Sequence, residues 1–370
     1  MPLETFLLER NQTLYENEVE INLTESGVKA MTLREFLTPA EQQELLDLPL
    51  GYGHTEGSPA LRRAIAALYP GAGPENVLVT AGSAEANFVA AWSLLGDGGG
   101  AAMMLPNYLQ VAGLAKSFGA AIATFSLRPE RGWALDREAL ARAVAPGTRV
   151  VSVCNPNNPT GHVLTPEEMD AVVAAAGRAG AWILADEIYR GAELGERAET
   201  PSFWGRHDRV LVSGSVSKAL GHSGLRLGWL AGPAATIAEI RRRQDYTTIG
   251  TTAVSQYVGE RVLAPARRAA LLARARTILN RNAAIVGAWV ARHGNRLSWQ
   301  PPQGGGIAFI KFDLPLSSEE FSRLVRERES TFVVAGAWFG LEGHIRLGIG
   351  GDSHELEQGL ARVDRVLATL

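Results

Sequence analysis

Between residues 76 and 232 short apolar runs recur, each closing on a polar or glycine-rich stretch: NVLVT (76–80), AAMML (101–105), RVVSVC (149–154), AWILAD (181–186), RVLVSG (209–214) and RLGWLAG (226–232). Runs so short and so purely apolar predict strands buried on both faces, as in a parallel sheet. Between them the period changes. Phe88, Trp92 and Leu95 fall at i, i+4 and i+7 behind Ser83, and Pro166 opens a pattern that Gly180 closes; this is the spacing and punctuation of helices. Strand and helix in alternation predict an α/β unit on a mostly parallel sheet. After about residue 255 a long Ala-, Arg- and Leu-rich helical stretch leads to apparent strands at 307–312 and 344–350 and a last helix, a smaller α+β unit. Residues 1–45 carry no strand run that suits the main sheet and are expected to join that unit or to lie across a partner. The expected division is a large domain over 46–255 and a small domain formed by 1–45 with 256–370.

Composition narrows the function without naming it. At 370 residues, 46% hydrophobic and 20% charged, the chain can bury one large core or two moderate ones. A net charge of -3, from 36 basic and 39 acidic side chains, gives no general attraction to nucleic acid or anionic membrane, and neither partner is expected. The single cysteine, Cys154, excludes an internal disulfide and suits a reducing compartment, so a cytoplasmic location is expected. The opening MPLETFLLERNQTLYENEVE has early acids and no apolar core of signal-peptide length, and no stretch reaches about 18 uninterrupted apolar residues.

In such a sheet chemistry gathers at the loops leaving the carboxyl ends of the strands. Gly82 and Ser83 open a helix after NVLVT, a spot suited to a phosphate and equally to a plain N-cap. Tyr108, in PNY, is placed to cover a flat ligand or simply to pack. The turn NPNNPTG points an amide back over the sheet edge, with Asn158 as the expected pointer. Asp186 ends a run apolar enough to be buried, so it should meet a cation or accept several hydrogen bonds. The stretch GSVSKALGHSGLR (214–226) supplies Ser215, Lys218 and Arg226 in a setting that favours neither helix nor strand. A lysine desolvated beside another cation becomes a nucleophilic amine that forms Schiff bases. A phosphate cradle, an aromatic lid, a buried carboxylate and an activated lysine together suit one ligand, pyridoxal 5′-phosphate, and no metal is called for.

The set NPNNPTG, ADEIY and SVSKALGHSGLRLGW, in that order, resembles the class I/II aminotransferases of the fold-type I pyridoxal-phosphate enzymes, and the match runs over most of the chain. The resemblance implies a seven-stranded, mainly parallel sheet with a small domain made of both termini. It implies that Lys218 carries the cofactor, that Asp186 bonds the pyridine nitrogen, and that Tyr189 and Asn158 touch the ring hydroxyl. The phosphate would be held by the backbone of Gly82, Ser83 and Ala84, by Ser215 and Arg226, and by Tyr52 from the other subunit of a homodimer. Tyr108 would stack on the ring. Arg346 would grip the substrate α-carboxylate, helped by Asn158 and by the backbone of Gly27 in ESGV. Ala84 departs from the pattern, since many relatives carry a hydroxyl there.

The implied activity moves an amino group between an amino acid and a 2-oxo acid, with Lys218 handling the Cα proton. Elimination, cyclisation and decarboxylation begin on the same kind of site, and LETFLLER, ESGV and RRQDYTT are similar to the capreomycidine-synthase-like branch, in which an arginine-derived substrate is cyclised on the cofactor. Segment 241–256 is expected to border the substrate side-chain pocket, and His222 to bond locally. Two other classes find less support. Ser215 to Lys218 matches the S-x-x-K of serine β-lactam-processing enzymes, but neither S-D-N nor K-T-G is present. A cofactor-binding sensor fused to a DNA-binding unit finds no basic segment before residue 45.

Overall fold

The computed structural model describes residues 3–370. An eight-stranded sheet forms its centre, in the spatial order Val77–Thr80, Gly228–Ala231, Val210–Ser215, Trp182–Asp186, Thr148–Cys154, Gly100–Leu105, Ala121–Arg128 and Ala134–Leu135. Gly228–Ala231 runs antiparallel to both neighbours and Ala134–Leu135 antiparallel to the strand it borders; every other pairing is parallel. The sheet is therefore mainly parallel, and the seven strands of the implied fold gain a two-residue edge. All six apolar runs are strands. Ala121–Arg128 is the long strand that the apolar pattern does not predict.

The runs are unbroken because alternate residues feed opposite faces, both of them covered. Val79, Val151, Ile183 and Val212 enter one core cluster, while their chain neighbours Leu78, Val150, Leu184 and Leu211 enter another. Each such side chain stabilises the fold by roughly 1.5–3 kcal/mol relative to exposure. Parallel register then brings polar residues to one edge. Cys154 lies opposite Asp186, and Asp186 opposite Ser213.

A second sheet of four antiparallel strands, Leu297–Trp299, Ile307–Phe312, His344–Gly348 and Val334–Ala335, packs with the helices Pro265–Arg292, Ser318–Glu329 and Ser353–Leu367. Ile21–Asn22 pairs in parallel with Thr331–Phe332, tying the N-terminal segment to this C-terminal unit. The helix Leu7–Tyr15 (α1) lies over the polar edge of the large sheet. It is held there by buried Leu8, by Phe6 edge-on to Tyr108 at 4.8 Å, and by Arg326 3.7 Å over the Tyr15 ring. Among the described residues no helix is long and apolar enough to cross a membrane.

Candidate active site

Strand Val77–Thr80 passes into helix Ser83–Leu95 through Gly82, at φ 83°. That φ is what requires glycine; a Cβ on Gly82 would also lie 2.5 Å from Arg226 Nη2 and push the guanidinium aside. The first-turn N–H groups of such a helix lack intrahelical partners. Ser83, Ala84 and Arg226 line one cavity of about 380 Å³. Arg226 is itself in the left-handed region at φ 48° and donates from Nη1 to the Ser223 carbonyl at 3.0 Å. Free N–H groups, a helix N-terminus and a guanidinium make a cradle for a phosphate.

The same cavity is lined by Tyr108, Asn158, Asp186, Tyr189, Lys218 and Arg346. The turn after Thr148–Cys154 explains why Asn158 is free to face it. Asn157 Oδ1 accepts from Thr160 N–H at 3.2 Å and Thr160 Oγ1–H at 2.7 Å, and Asn157 Nδ2 donates to the Pro106 carbonyl at 3.2 Å. Asn157 is thus consumed by the turn, whereas Asn158 Oδ1 accepts from Arg346 Nη1 at 3.2 Å. Arg346 is 1% exposed and also donates to the Thr24 carbonyl. Burial pulls its pKa below the usual guanidinium value, and its Nε has no partner.

Asp186 ends its strand partly open to the cavity floor. Oδ2 accepts from Asn87 Nδ2 at 3.1 Å and Oδ1 from Ile188 N–H at 3.2 Å. Burial holds its pKa above the ordinary carboxyl range in spite of those bonds, of Ser213 and of the Lys218 charge. Tyr189 O–H donates to Ser26 Oγ at 2.9 Å, and burial raises its phenol. The Lys218 loop is pinned by Ser217 N–H on Ser215 Oγ at 3.2 Å and by Val28 N–H on the Lys218 carbonyl at 3.0 Å. Lys218 Nζ donates to Glu25 Oε1 at 3.0 Å. Burial pushes the Glu25 carboxyl up, but the Lys218 charge and hydrogen bond, Gly27 N–H and Arg346 together hold it below the ordinary range.

Four expected site residues are not on the lining of this cavity, among them Gly82, which immediately precedes the lining residue Ser83. Ser215 is buried behind it, beside a smaller space that it lines with Gly214 and Trp229. Tyr52 is 90% exposed and lines a separate surface hollow with Leu50, Gly53 and Thr252, so within one chain it does not reach the site. Gly27 packs against the lysine loop; a Cβ there would lie 3.1 Å from the Ser217 carbonyl oxygen. Within one chain segment 241–256 does not line the cavity either: Thr251 and Thr252 line the hollow of Tyr52, Arg241 pairs with Asp245, Arg243 with Glu239, and Thr248 Oγ1 donates to Glu85. His222 bonds locally through Nδ1 to the Leu220 carbonyl. Sequence reasoning missed Asn87 and the acidic residues Glu9, Glu16 and Glu25 that join the lining. In ESGV the glycine is the conspicuous residue, and the carboxylate two positions earlier is the one that meets the lysine.

Whether pyridoxal phosphate fits can be asked of the donor set alone. A glycine cradle under a guanidinium, and a deep carboxylate that accepts two hydrogen bonds without a cation in contact, match its phosphate and its ring nitrogen. An amine, Lys218, lies on the same cavity. A mainly parallel sheet carrying that set at its carboxyl edge defines a fold-type I, pyridoxal-phosphate-dependent enzyme. The chain belongs to the family aminotransferase class I and II, whose sequence pattern matches residues 19–363. It is 31% identical to a capreomycidine synthase from Streptomyces vinaceus over 100% of this chain and 94% of that protein. Among solved structures, a PLP-dependent aminotransferase from Streptococcus suis superposes with a TM-score of 0.93 at 29% identity, over 100% of this chain and 99% of the other. A PLP-dependent cyclase, OrfR, superposes with a TM-score of 0.89 at 27% identity, over 100% of this chain and 98% of the other.

Proposed function

We propose that this enzyme is an aminotransferase that moves an amino group between an amino acid and a 2-oxo acid. The observation that carries the reading is the convergence of Lys218, Asp186, Arg226 and Arg346 on one cavity. When bound, pyridoxal phosphate supplies an aldehyde for the amine and an electron sink for the charge left at the substrate Cα. Gly82, Ser83, Ala84, Arg226 and, from the protein side, Ser215 hold the phosphate. Asp186 keeps the ring nitrogen protonated, Asn158 and Tyr189 bond the ring hydroxyl, and Tyr108 covers the ring. Arg346, with Asn158 and the Gly27 backbone, receives the substrate α-carboxylate as a planar fork. Lys218 would hold the cofactor through its amine and is the group placed to hold or move the proton at the substrate Cα. α1 lies over the cavity and limits water.

In this reading the large domain is 46–255 and the small domain 1–45 with 256–370. Two copies form a cytoplasmic homodimer in which Tyr52 of one completes the phosphate site of the other. A lyase or cyclase outcome is the second reading, favoured by the likeness to a capreomycidine synthase and to a PLP-dependent cyclase. Borohydride reduction followed by peptide mass spectrometry should locate the cofactor on Lys218; an adduct at another residue overturns both readings. A panel of amino donors without acceptor then separates them. Transamination yields one 2-oxo acid and one amine-form cofactor per site, whereas unchanged cofactor with an eliminated or cyclised product establishes the alternative.

A further inference from the structure

Trp133 stands where its backbone is least suited to it. It sits between the short helical turn Pro129–Arg131 and the edge strand Ala134–Leu135, at φ 68°, behind Gly132 at φ 66°. The left-handed region is an outlier for a bulky side chain, whereas glycine enters it freely. The turn fixes that backbone, with Trp133 N–H donating to the Arg128 carbonyl at 2.8 Å and Gly132 N–H to the Pro129 carbonyl at 3.2 Å. The indole N–H gains nothing in exchange, since Nε1 is buried without a partner. A strained backbone and an orphaned donor persist where the surroundings over-determine the position of the ring.

What the ring meets lies on the other sheet. Trp133 is 4% exposed, with its ring 5.8 Å from Phe309 and 5.7 Å from His344. Those two stack on each other at 4.7 Å and 16°, and His344 is fixed by Nδ1 on the Glu342 carbonyl at 2.9 Å. Phe309 lies opposite Arg346, and Lys311 opposite His344, in the register of strands Ile307–Phe312 and His344–Gly348. Directly opposed residues, and those two apart along a strand, share one face of a sheet. Phe309, His344 and Arg346 are therefore neighbours on one face, and Trp133 is seated on that face from the edge of the large sheet. Phe309 also meets Phe339 edge-on at 6.1 Å, and the Arg346 guanidinium lies 5.2 Å over the same Phe339 ring.

Arg346 has to reach outward from this face. Its Nη1 donates to Asn158, in a turn of the large sheet, at 3.2 Å, while Nη2 donates to the Thr24 carbonyl. The spacing of the two sheets thus decides whether the guanidinium meets its partners, and a displacement of about 1 Å is enough to lose such geometry. We infer that Trp133 is a positioning residue for Arg346: its ring is the spacer that sets the four-stranded sheet against the large one. The role rests on the proposed function in that Arg346 there receives the substrate carboxylate.

Hydrogen exchange read by mass spectrometry tests the spacer without any substrate. Trp133→Gly removes the ring and relieves the backbone, whereas Trp133→Phe keeps a ring and drops only the unpartnered donor. In the cofactor-loaded Trp133→Gly protein, amides of Ile307–Phe312 and His344–Gly348 should exchange at least about tenfold faster, with Thr148–Cys154 within about threefold of native. Trp133→Phe should stay within about threefold throughout. For the amino donor that the panel selects, KM should rise at least about tenfold in Trp133→Gly with kcat within about threefold, because a carboxylate held alike before and during the reaction contributes to binding. Trp133→Phe should restore it. Unchanged exchange in the four-stranded sheet, an equal rise in Thr148–Cys154, or a loss in kcat alone overturns the inference. Should Trp133→Gly not fold, Trp133→Leu is read against the same thresholds. If borohydride places the cofactor elsewhere than on Lys218, the proposed function falls while the exchange result still decides the spacer.

Discussion

Asp186→Asn removes one charge while keeping the side chain's shape. Both carboxylate oxygens accept in the native protein, from Ile188 N–H and from Asn87 Nδ2, so the new amide NH₂ must face a donor. Asn87 can resolve the conflict. Its Oδ1 is buried and unpartnered, and turning its amide over presents that oxygen to the new NH₂ at the loss of a long 3.4 Å contact with Gln110. Folding stability should therefore fall by no more than about 1 kcal/mol. Catalysis should fall much further. A carboxylate–pyridinium pair at ~4 Å and an effective dielectric near 20 is worth roughly 4 kcal/mol before desolvation, and each ~1.4 kcal/mol is tenfold in rate, so the single-turnover half-reaction should slow by on the order of 10²–10³. Stopped-flow absorbance with saturating amino donor measures that rate, and thermal unfolding of the cofactor-free protein measures the stability. A rate within about tenfold of the native enzyme, with the cofactor still trapped on Lys218, would refute the charge argument. A melting temperature lowered by more than about 3 °C would refute the Asn87 rotation.

Glu187, next in sequence and fully enclosed, is raised from 4.5 to about 7, chiefly by burial, which outweighs Arg190 and Phe203 N–H. Its folded value exceeds the unfolded one, so the stability it contributes is complete below pH 4.5 and is lost as pH rises through about 7. Urea titrations across that window should show the native protein losing about 3 kcal/mol relative to Glu187→Gln, and parallel curves would contradict this. Tyr189→Phe removes the donor to Ser26 and, in the proposed site, the contact with the ring hydroxyl, and should slow the half-reaction by about tenfold with carboxylate affinity unchanged; a loss confined to KM would point instead to substrate binding. Leu50 and Tyr52 are 92% and 90% exposed, a pair expected to be covered by a second copy. Leu50→Glu should give a monomer in sedimentation that binds the cofactor at least about tenfold more weakly, and an unchanged dimer would remove Tyr52 from the site.

Legibility in the sequence followed from how each element is buried. The six apolar runs are legible because strands covered on both faces cannot alternate, and the residues that end them, Asp186 and those after Cys154, stand out where the pattern breaks. Ala121–Arg128 escaped because near the sheet edge only Phe125 and Leu127 are fully buried, leaving no apolar run. The same logic separates the two halves of the site. Gly82, Asn158, Lys218 and Arg226 sit in loops whose glycines, prolines and serines announce special geometry before any fold is known. Glu9 and Glu16 sit on a helix whose polar face reads as solvent-facing, and their position over the cavity comes from contacts distant in sequence, Phe6 with Tyr108 and Tyr15 with Arg326. The loops that carry the cofactor candidates were therefore readable from local pattern, whereas the acidic lining contributed by α1 was not. That lining depends on which surface a separately anchored helix is made to face. Nothing in a helix's own amphipathicity distinguishes water from an enclosed cavity: here Leu7 and Leu14, opposite the polar face, are the exposed residues, while Leu8 is buried and lines the cavity with Glu9 and Gln12.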